Sequence, residues 1–205
     1  MIQETCSVFM TKNEEEFSQF LEGKNHAILL RELIEMYAND KNSSFLREMV
    51  TCSTAGYTHN IKKLGYDGGS TEKPIEVKPQ NIKSTGKIKL NASGNFTDFT
   101  WRKFKKCGED NVTMLMSGFI DGKLMFIIEF PFNDPIFKNH LQSKLQKFLP
   151  KGDEINRYIR SCNWSFIHFE KSIIRYRSKK LKDFKRNFSK KLFNFLENGE
   201  VDNVK

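Results

Sequence analysis

Residues 66–79 read Tyr-Asp-Gly-Gly-Ser-Thr-Glu-Lys-Pro-Ile-Glu-Val-Lys-Pro, a polar turn followed by a segment of alternating character. We predict that residues 74–78 form a strand, in which side chains two apart share one face and lie about 7 Å from each other. Glu76 and Lys78 then point together away from the core, and Asp67 can fold back beside them. Converging carboxylates can hold a hard divalent cation, and a lysine can orient or activate water beside it. The stretch therefore predicts a phosphodiesterase site, with a functionless solvated hairpin as the alternative.

The spacing of these residues resembles the acid, acid-x-lysine signature of the PD-(D/E)xK nuclease superfamily. Asp67 is followed, after eight residues, by Glu76-Val77-Lys78, and the surrounding turn is similar to that of small type II restriction endonucleases. Tyr66 stands where the superfamily's name has proline. The resemblance covers roughly residues 60–130. It implies an α/β (α+β) fold with a central mixed β-sheet flanked by helices.

The resemblance also implies roles. Asp67 and Glu76 would bind Mg²⁺, and Lys78 would act at the scissile phosphate of double-stranded DNA, leaving a 5′-phosphate. A type II restriction enzyme is expected to be a homodimer, because a duplex site has two-fold symmetry. An upstream helix of the family often adds another acid to the metal site. The sequence does not distinguish between its three candidates, which are Glu32, Glu35 and Glu48.

Other functions stay open at this point. A junction resolvase or repair nuclease on the same fold would recognise DNA structure instead of sequence. A non-catalytic nucleic-acid-binding protein would use the basic segments alone, and an interaction scaffold would have no salt-dependent affinity for DNA. The chain contains no Gly-x-Ser-x-Gly, His-Glu-x-x-His or Walker-type loop, so the other common hydrolase classes have no motif here.

Composition limits the class of protein. The 205 residues and 19 Phe suffice for one domain with a sizeable core. No run of 18 apolar residues and no secretory signal is visible, so we expect a cytoplasmic protein without membrane contact. None of the four cysteines has a Cys-x-x-Cys partner, and we expect reduced, mostly buried thiols.

The net charge of +9 is unevenly distributed. Acidic side chains outnumber basic ones in residues 1–50, whereas basic ones dominate residues 51–110 and 151–205. A basic middle and C-terminus suggest a polyanionic partner. Alternatively, the high lysine content reflects an AT-biased genome, which would also explain the frequent Asn, Phe and Ile. In that case the basic charge indicates nothing about function.

We expect a single domain over residues 1–205, with a helical part in 1–50, a catalytic sheet core in 60–132 and a C-terminal part in 136–205. Capping residues and apolar spacing predict N-terminal helices over 13–22 and 26–38, and a third, short helix capped by Ser43 or Ser44.

The clearest structural signal is Asp121-Gly122 between two apolar runs, 112–120 and 123–130, which predicts a type I′ hairpin. The second run is nearly continuous in hydrophobicity and indicates a central strand covered on both faces. Glu129 is expected at the exposed end of that strand, with a buried functional role as the alternative. A proline-rich stop and a helix over 136–148 follow, then a further strand over 162–169.

Four segments could contact nucleic acid, and the first is residues 59–63, just ahead of Asp67. Residues 91–100 form a polar loop that could read bases or be an ordinary turn, and residues 101–106 form a basic, aromatic helix. Residues 171–196 predict a long basic helix, whose cationic face suits a phosphate backbone, an anionic membrane or plain solvent. The candidate DNA contacts are His59, Asn60, Lys62, Lys63, Ser93, Asn95, Thr97, Arg102, Lys105, Arg175, Lys179, Lys182 and Arg186.

Overall fold

A mixed α/β structure is built around the hairpin that the sequence predicts. The computed structural model describes residues 44–60, 65–69, 73–154 and 157–202. The helices and strands are α1 (Ser44–Thr54), β1 (Gly68–Gly69), β2 (Pro74–Ile82), β3 (Gly94–Phe99), α2 (Trp101–Glu109), β4 (Thr113–Ile120), β5 (Lys123–Pro131), α3 (Pro135–Phe148), β6 (Ile159–Trp164), β7 (Ile173–Arg177) and α4 (Lys190–Asn198). Short 3₁₀ helices cover Phe166–His168 and Leu181–Asn187.

Five strands form one mixed sheet in the order β1-β2-β4-β5-β7. β2 runs parallel to β4, and the other neighbours are antiparallel. β3 and β6 form a separate antiparallel pair. The predicted mixed central sheet with flanking helices is confirmed at this level.

The predicted hairpin joins β4 and β5. Asp121 and Gly122 have φ angles of 49° and 76°, and a type I′ turn requires positive φ at both central positions. Every residue of β4 is buried, as are residues 125–130 of β5. The prediction of a central strand covered on both faces is therefore confirmed.

The two faces of the sheet bury different cores. On one face α1 packs over aliphatic side chains, including Ile75, Val77, Leu115 and Ile127. The other face carries the larger core, dominated by aromatic rings such as Phe96, Phe126, Phe130, Phe137 and Trp164. β2 is therefore predicted correctly: its aliphatic residues face α1, and Glu76 and Lys78 point to the other side.

The long helix predicted over 171–196 is wrong. This segment contains β7, the 3₁₀ helix Leu181–Asn187 and the short helix α4. The β-branched pair at 173–174 suits a strand, and β7 completes the sheet beside β5. Arg177 then fixes the returning chain, because its Nη1 donates to three carbonyl oxygens at the end of α4, those of Leu196, Glu197 and Gly199.

The expected exposure of Glu129 is also wrong, since its relative exposure is only 6%. Arg175 donates two hydrogen bonds to its carboxylate, from Nε at 2.7 Å and Nη2 at 3.1 Å. The hydroxyl of Tyr57 donates a third at 2.8 Å. The carboxylate can be buried because these partners satisfy it.

The predicted third helix corresponds to α1 and the predicted helix over 136–148 to α3, which is capped by Asp134. The strand expected over 162–169 is only partly confirmed, because β6 ends at Trp164 and residues 166–168 form a 3₁₀ helix. Several predictions lie outside the described residues: the helices over 13–22 and 26–38, the candidate acids Glu32 and Glu35, and the candidate contacts Lys62 and Lys63.

The cysteines in the described residues, Cys52, Cys107 and Cys162, are buried free thiols, as predicted. Burial raises the pKa of Cys52 to about 12 and that of Cys107 to about 11, so both stay protonated near neutrality. Within the described part of the chain, no helix has the length and apolar character needed to span a membrane.

Candidate active site at the edge of strand β2

The loop before β1 carries Asp67 to the edge of β2. Oδ2 of Asp67 accepts a hydrogen bond from the backbone N–H of Val77 at 2.8 Å. The Asp67 backbone oxygen accepts another from the N–H of Asn60 at 2.8 Å. The side chain is thus held beside the residue that separates Glu76 from Lys78, where the sequence predicts it to fold back.

Tyr66, at the position where the superfamily's name has proline, anchors this loop from the other side. Its hydroxyl donates to Oδ2 of Asp110 at 2.7 Å, and Lys106 Nζ lies 2.6 Å from the same oxygen. Burial, followed by the hydrogen bond to Asp110, raises the pKa of Tyr66. The tyrosine therefore ties the loop that bears Asp67 to the C-terminal end of α2.

Glu76 and Lys78 form a close pair on β2, with 2.5 Å between Lys78 Nζ and Glu76 Oε1. Their side chains are 15% and 20% exposed, respectively. Nζ of Lys78 also lies 5.6 Å from the centroid of the Phe96 ring. The pair is thus mostly enclosed, with an aromatic wall beside the ammonium group.

A glycine lets β3 approach this pair. A Cβ on Gly94 would lie 2.7 Å from Cζ2 of Trp164 and 3.1 Å from Cβ of Lys78. The first distance is shorter than real Cβ contacts, so a side chain at this position would displace the neighbours. The absence of a side chain at Gly94 therefore lets β3 lie directly against Lys78 and Trp164.

The electrostatics of the cluster are unbalanced toward negative charge. Burial and the nearby Glu76 carboxylate raise the pKa of Asp67 to about 7, although Lys78 and the Val77 N–H partly oppose the rise. Burial lowers the pKa of Lys78, but Glu76 and Asp67 outweigh this and leave it above its ordinary value. One ammonium group therefore serves two carboxylates and stays protonated.

Helix α1 brings a third acid near the cluster. Glu48 lines the same cleft as Glu76 and Lys78, and its charge contributes to the raised pKa of both Asp67 and Lys78. Of the three upstream glutamates that the sequence leaves open, Glu48 is the one within the described residues.

The cluster opens into a cleft of about 570 Å³. Three of the predicted DNA contacts, Ser93, Asn95 and Thr97, line it together with Glu76 and Lys78. The cleft also contains residues that the sequence analysis did not select: Gln80, Lys103, Asn163 and Trp164. Lys103 lies in the basic segment that was singled out, so a helix-face argument could have found it. The residues of β6 gave no signal, because they reach the cleft only through pairing with β3.

The remaining candidates lie elsewhere. His59 and Asn60 adjoin the Asp67 loop, and the His59 ring packs edge-on against Phe45 at 4.8 Å. Arg102 and Lys105 line a different cleft, formed by α2 with Asn133, Lys138 and Asp153.

Arg175 is only 11% exposed and is bonded to Glu129, so its guanidinium group is engaged within the sheet, and its contact with DNA stays a prediction. The last three candidates are exposed around the 3₁₀ helix Leu181–Asn187 and do not line the cleft beside Glu76 and Lys78; they are Lys179, Lys182 and Arg186.

Asp67 and Glu76 are the side chains of the cluster that could hold a metal. Among the described residues, no three His, Cys, Asp or Glu side chains are grouped closely enough to form a complete protein cage. Mg²⁺ does not need one, because it is commonly bound by one or two carboxylates together with water and substrate phosphate oxygens. Burial, and after it the neighbouring Glu76 carboxylate, raise the pKa of Asp67. A cation held between these two carboxylates would relieve both costs, so the donor set fits a hard divalent cation.

No family model matches the chain, and no curated protein is significantly similar to it.

Proposed function

We propose that this chain is a Mg²⁺-dependent endonuclease of the PD-(D/E)xK type that hydrolyses phosphodiester bonds at a specific sequence in double-stranded DNA, as a type II restriction enzyme does. The observation that carries the proposal is the meeting of Asp67, Glu76 and Lys78 at one edge of β2, beside an open polar cleft. These are the residues, in the chain order, that the family signature uses.

Each side chain of the cluster has a role in this proposal. Asp67 and Glu76 would hold Mg²⁺, which when bound supplies a Lewis acid for the phosphate and lowers the pKa of water. The raised pKa of Lys78 keeps its ammonium group charged. Lys78 is therefore suited to stabilise the negative charge that develops on the attacked phosphate, and poorly suited to accept a proton from water.

Glu48 is the upstream acid that the proposal assigns to this site. Its position on the cleft suits an outer role, accepting hydrogen bonds from water near the two metal-binding carboxylates. Because it sits on α1 and not on β2, its contribution depends on the packing of α1 against the sheet.

A purely binding role fits the charges less well. Carboxylates in a cleft repel DNA phosphates. A protein that only binds DNA, and holds no metal ion, would bind it more tightly without them, so such a role does not explain their presence. The net charge of +9 and the lysine at position 103 favour a polyanionic substrate. A homodimer belongs to the proposal because two strands of a symmetric duplex site require two active sites.

The test is incubation of the purified protein with mixed plasmid and phage DNA, in Mg²⁺ and in EDTA, followed by gel electrophoresis. We expect discrete Mg²⁺-dependent fragments whose ends map to one sequence. Asp67→Ala and Glu76→Ala should abolish cleavage while DNA binding is kept or strengthened. Glu109→Gln, which changes an exposed acid on α2, is the matched control and should cleave normally.

The other outcomes separate the alternatives. A Mg²⁺-dependent smear would favour a structure-specific or non-specific nuclease on the same fold. DNA that stays intact with several divalent metals, but is retained by the protein, would favour the non-catalytic binding protein. Cleavage by the Asp67 and Glu76 variants at the wild-type rate would overturn the assignment of the site.

A further inference from the structure

The paired strands β3 and β6, hereafter the β3–β6 ribbon, stand apart from the main sheet. The register places Asn95 opposite Asn163 and Thr97 opposite Ser161. These four side chains are exposed, whereas the residues that alternate with them, Phe96, Cys162 and Trp164, are buried. The ribbon therefore has an apolar inner face and an outer face of hydrogen-bonding groups.

The polar side chains of the outer face are linked across the strands. Nδ2 of Asn95 donates to Oγ of Ser161 at 3.1 Å, and Oγ of Ser161 donates to Oδ1 of Asn163 at 3.0 Å. These bonds hold the two exposed amides and the hydroxyl of Ser161 in defined orientations. Since three of the four side chains, Asn95, Thr97 and Asn163, also line the active-site cleft, the ordered face adjoins Glu76 and Lys78.

Lysines stand on both sides of this uncharged face. Nζ of Lys103 donates to the backbone oxygen of Thr97 on β3 at 3.4 Å, and Nζ of Lys144 donates to that of Asn163 on β6. In protein–DNA interfaces cations position the phosphate backbones, while amide and hydroxyl groups between them contact the base edges.

We propose that the β3–β6 ribbon enters the major groove of duplex DNA and reads base edges through Asn95, Thr97, Ser161 and Asn163. The inference rests on the proposed function and names the element that selects its substrate sequence. A two-stranded ribbon fits a major groove about 12 Å wide, and an asparagine can pair with the N6 and N7 groups of adenine. The reading face adjoins the catalytic cluster, so cleavage occurs within or next to the bases that are read.

The experiment selects duplexes from a random-sequence pool by retention on the full-length protein in Ca²⁺ without Mg²⁺, so that it measures sequence preference independently of cleavage. We expect the wild type to enrich one motif. In the double variant Asn95→Ala/Asn163→Ala, we expect that enrichment to fall about tenfold or more. Affinity for an unselected random duplex should stay within about twofold, because the flanking lysines are unchanged.

The matched control is Asn194→Ala/Asn198→Ala, which removes two exposed asparagines from α4 and should enrich the wild-type motif. Circular dichroism and thermal unfolding check that both double variants fold. An unchanged motif in the ribbon variant would overturn the inference, and so would a wild-type protein that enriches no motif. The plasmid assay tests cleavage separately. If the motif is enriched through the ribbon but plasmid DNA stays intact, the nuclease proposal is overturned, while the inference that the ribbon reads base edges stands.

Discussion

The main sheet carries two buried acid–base clusters of opposite character. In the first cluster, near the outer edge of β2, Asp67 and Glu76 share the single ammonium group of Lys78. In the second, on β5, the one carboxylate of Glu129 receives two hydrogen bonds from Arg175 and one from a tyrosine. The first has a surplus of negative charge, and the second is fully satisfied.

The pKa values move in opposite directions as a result. Burial raises the pKa of Asp67 to about 7, with help from Glu76. Burial also acts to raise the pKa of Glu129, but Arg175 and Tyr57 outweigh it and hold the value below the ordinary range. A satisfied cluster stabilises the fold, whereas an unsatisfied one retains the capacity to bind a cation or a substrate. Four experiments test whether the two clusters differ in this way.

The largest effect is expected from Lys78→Met, which keeps the length of the side chain and removes its charge. Cleavage in Mg²⁺ should fall about 1,000-fold or more, because the developing charge on the phosphate loses its cation. Single-turnover cleavage measures this loss. Lys147→Met, an exposed position on α3, is the control and should retain the wild-type rate. A fully active Lys78→Met variant would remove the lysine from the mechanism.

The next largest effect is a loss of stability on disrupting the second cluster, that of Glu129 and Arg175. Arg175→Met should lower the free energy of unfolding by about 3 kcal/mol at pH 7, because it leaves the Glu129 carboxylate buried without its main partner. Glu129 has a lowered pKa in the folded state, so its stabilisation is present above the ordinary value of 4.5 and is lost as the pH falls through the folded value. Urea unfolding of Arg175→Met should therefore show a smaller deficit at acidic pH than at pH 7.

Asp67→Asn should raise the free energy of unfolding, whereas Arg175→Met lowers it. The pKa of Asp67 rises from 3.8 to about 7 on folding, so ionisation destabilises the folded protein increasingly between these two values. The variant should gain about 1–3 kcal/mol at pH 8 and nothing near pH 3, and it should not cleave. Urea unfolding at the two pH values tests this. A loss of stability at pH 8 would contradict the surplus of negative charge.

The smallest effect is expected in how the cleavage rate depends on pH and on the Mg²⁺ concentration. Metal binding requires ionised carboxylates, so cleavage at limiting Mg²⁺ should fall about tenfold per pH unit below the Asp67 pKa of about 7. Raising the Mg²⁺ concentration should move the half-maximal rate to lower pH, because the cation competes with the proton. Initial rates at several Mg²⁺ concentrations measure the shift. A pH profile that does not respond to Mg²⁺ would separate the titration from metal binding.

Local sequence signals predicted the parts of the fold that local interactions determine. Asp121-Gly122 specifies its turn, and the alternation at 74–78 gives the strand that presents Glu76 and Lys78. The helix predicted over 171–196 is wrong because the apolar residues of this segment recur at helical spacing, whereas its residues 173–177 pair with β5 as a strand. The preference for the sheet edge outweighed the helical pattern.

In the candidate site too, contacts between residues close in sequence could be predicted, and contacts between distant residues could not. Asp67, Glu76 and Lys78 are close in sequence, and their convergence could be predicted from the strand and the turn. The burial of Glu129 depends on Arg175, which is distant in sequence and has no local signature. Asn163 reaches the cleft through the pairing of β6 with β3, and such a contact is visible only after the chain has folded.

The parallel pairing of β2 with β4 also has a consequence for the order of folding. The β4–β5 hairpin closes over two residues, so it can form early and quickly. β2 can join β4 only after the chain has closed the whole loop of residues 83–112, which costs more entropy and slows docking. We expect the strand that bears Glu76 and Lys78 to be among the later elements to settle, so that a newly made chain acquires its core before it acquires a competent site.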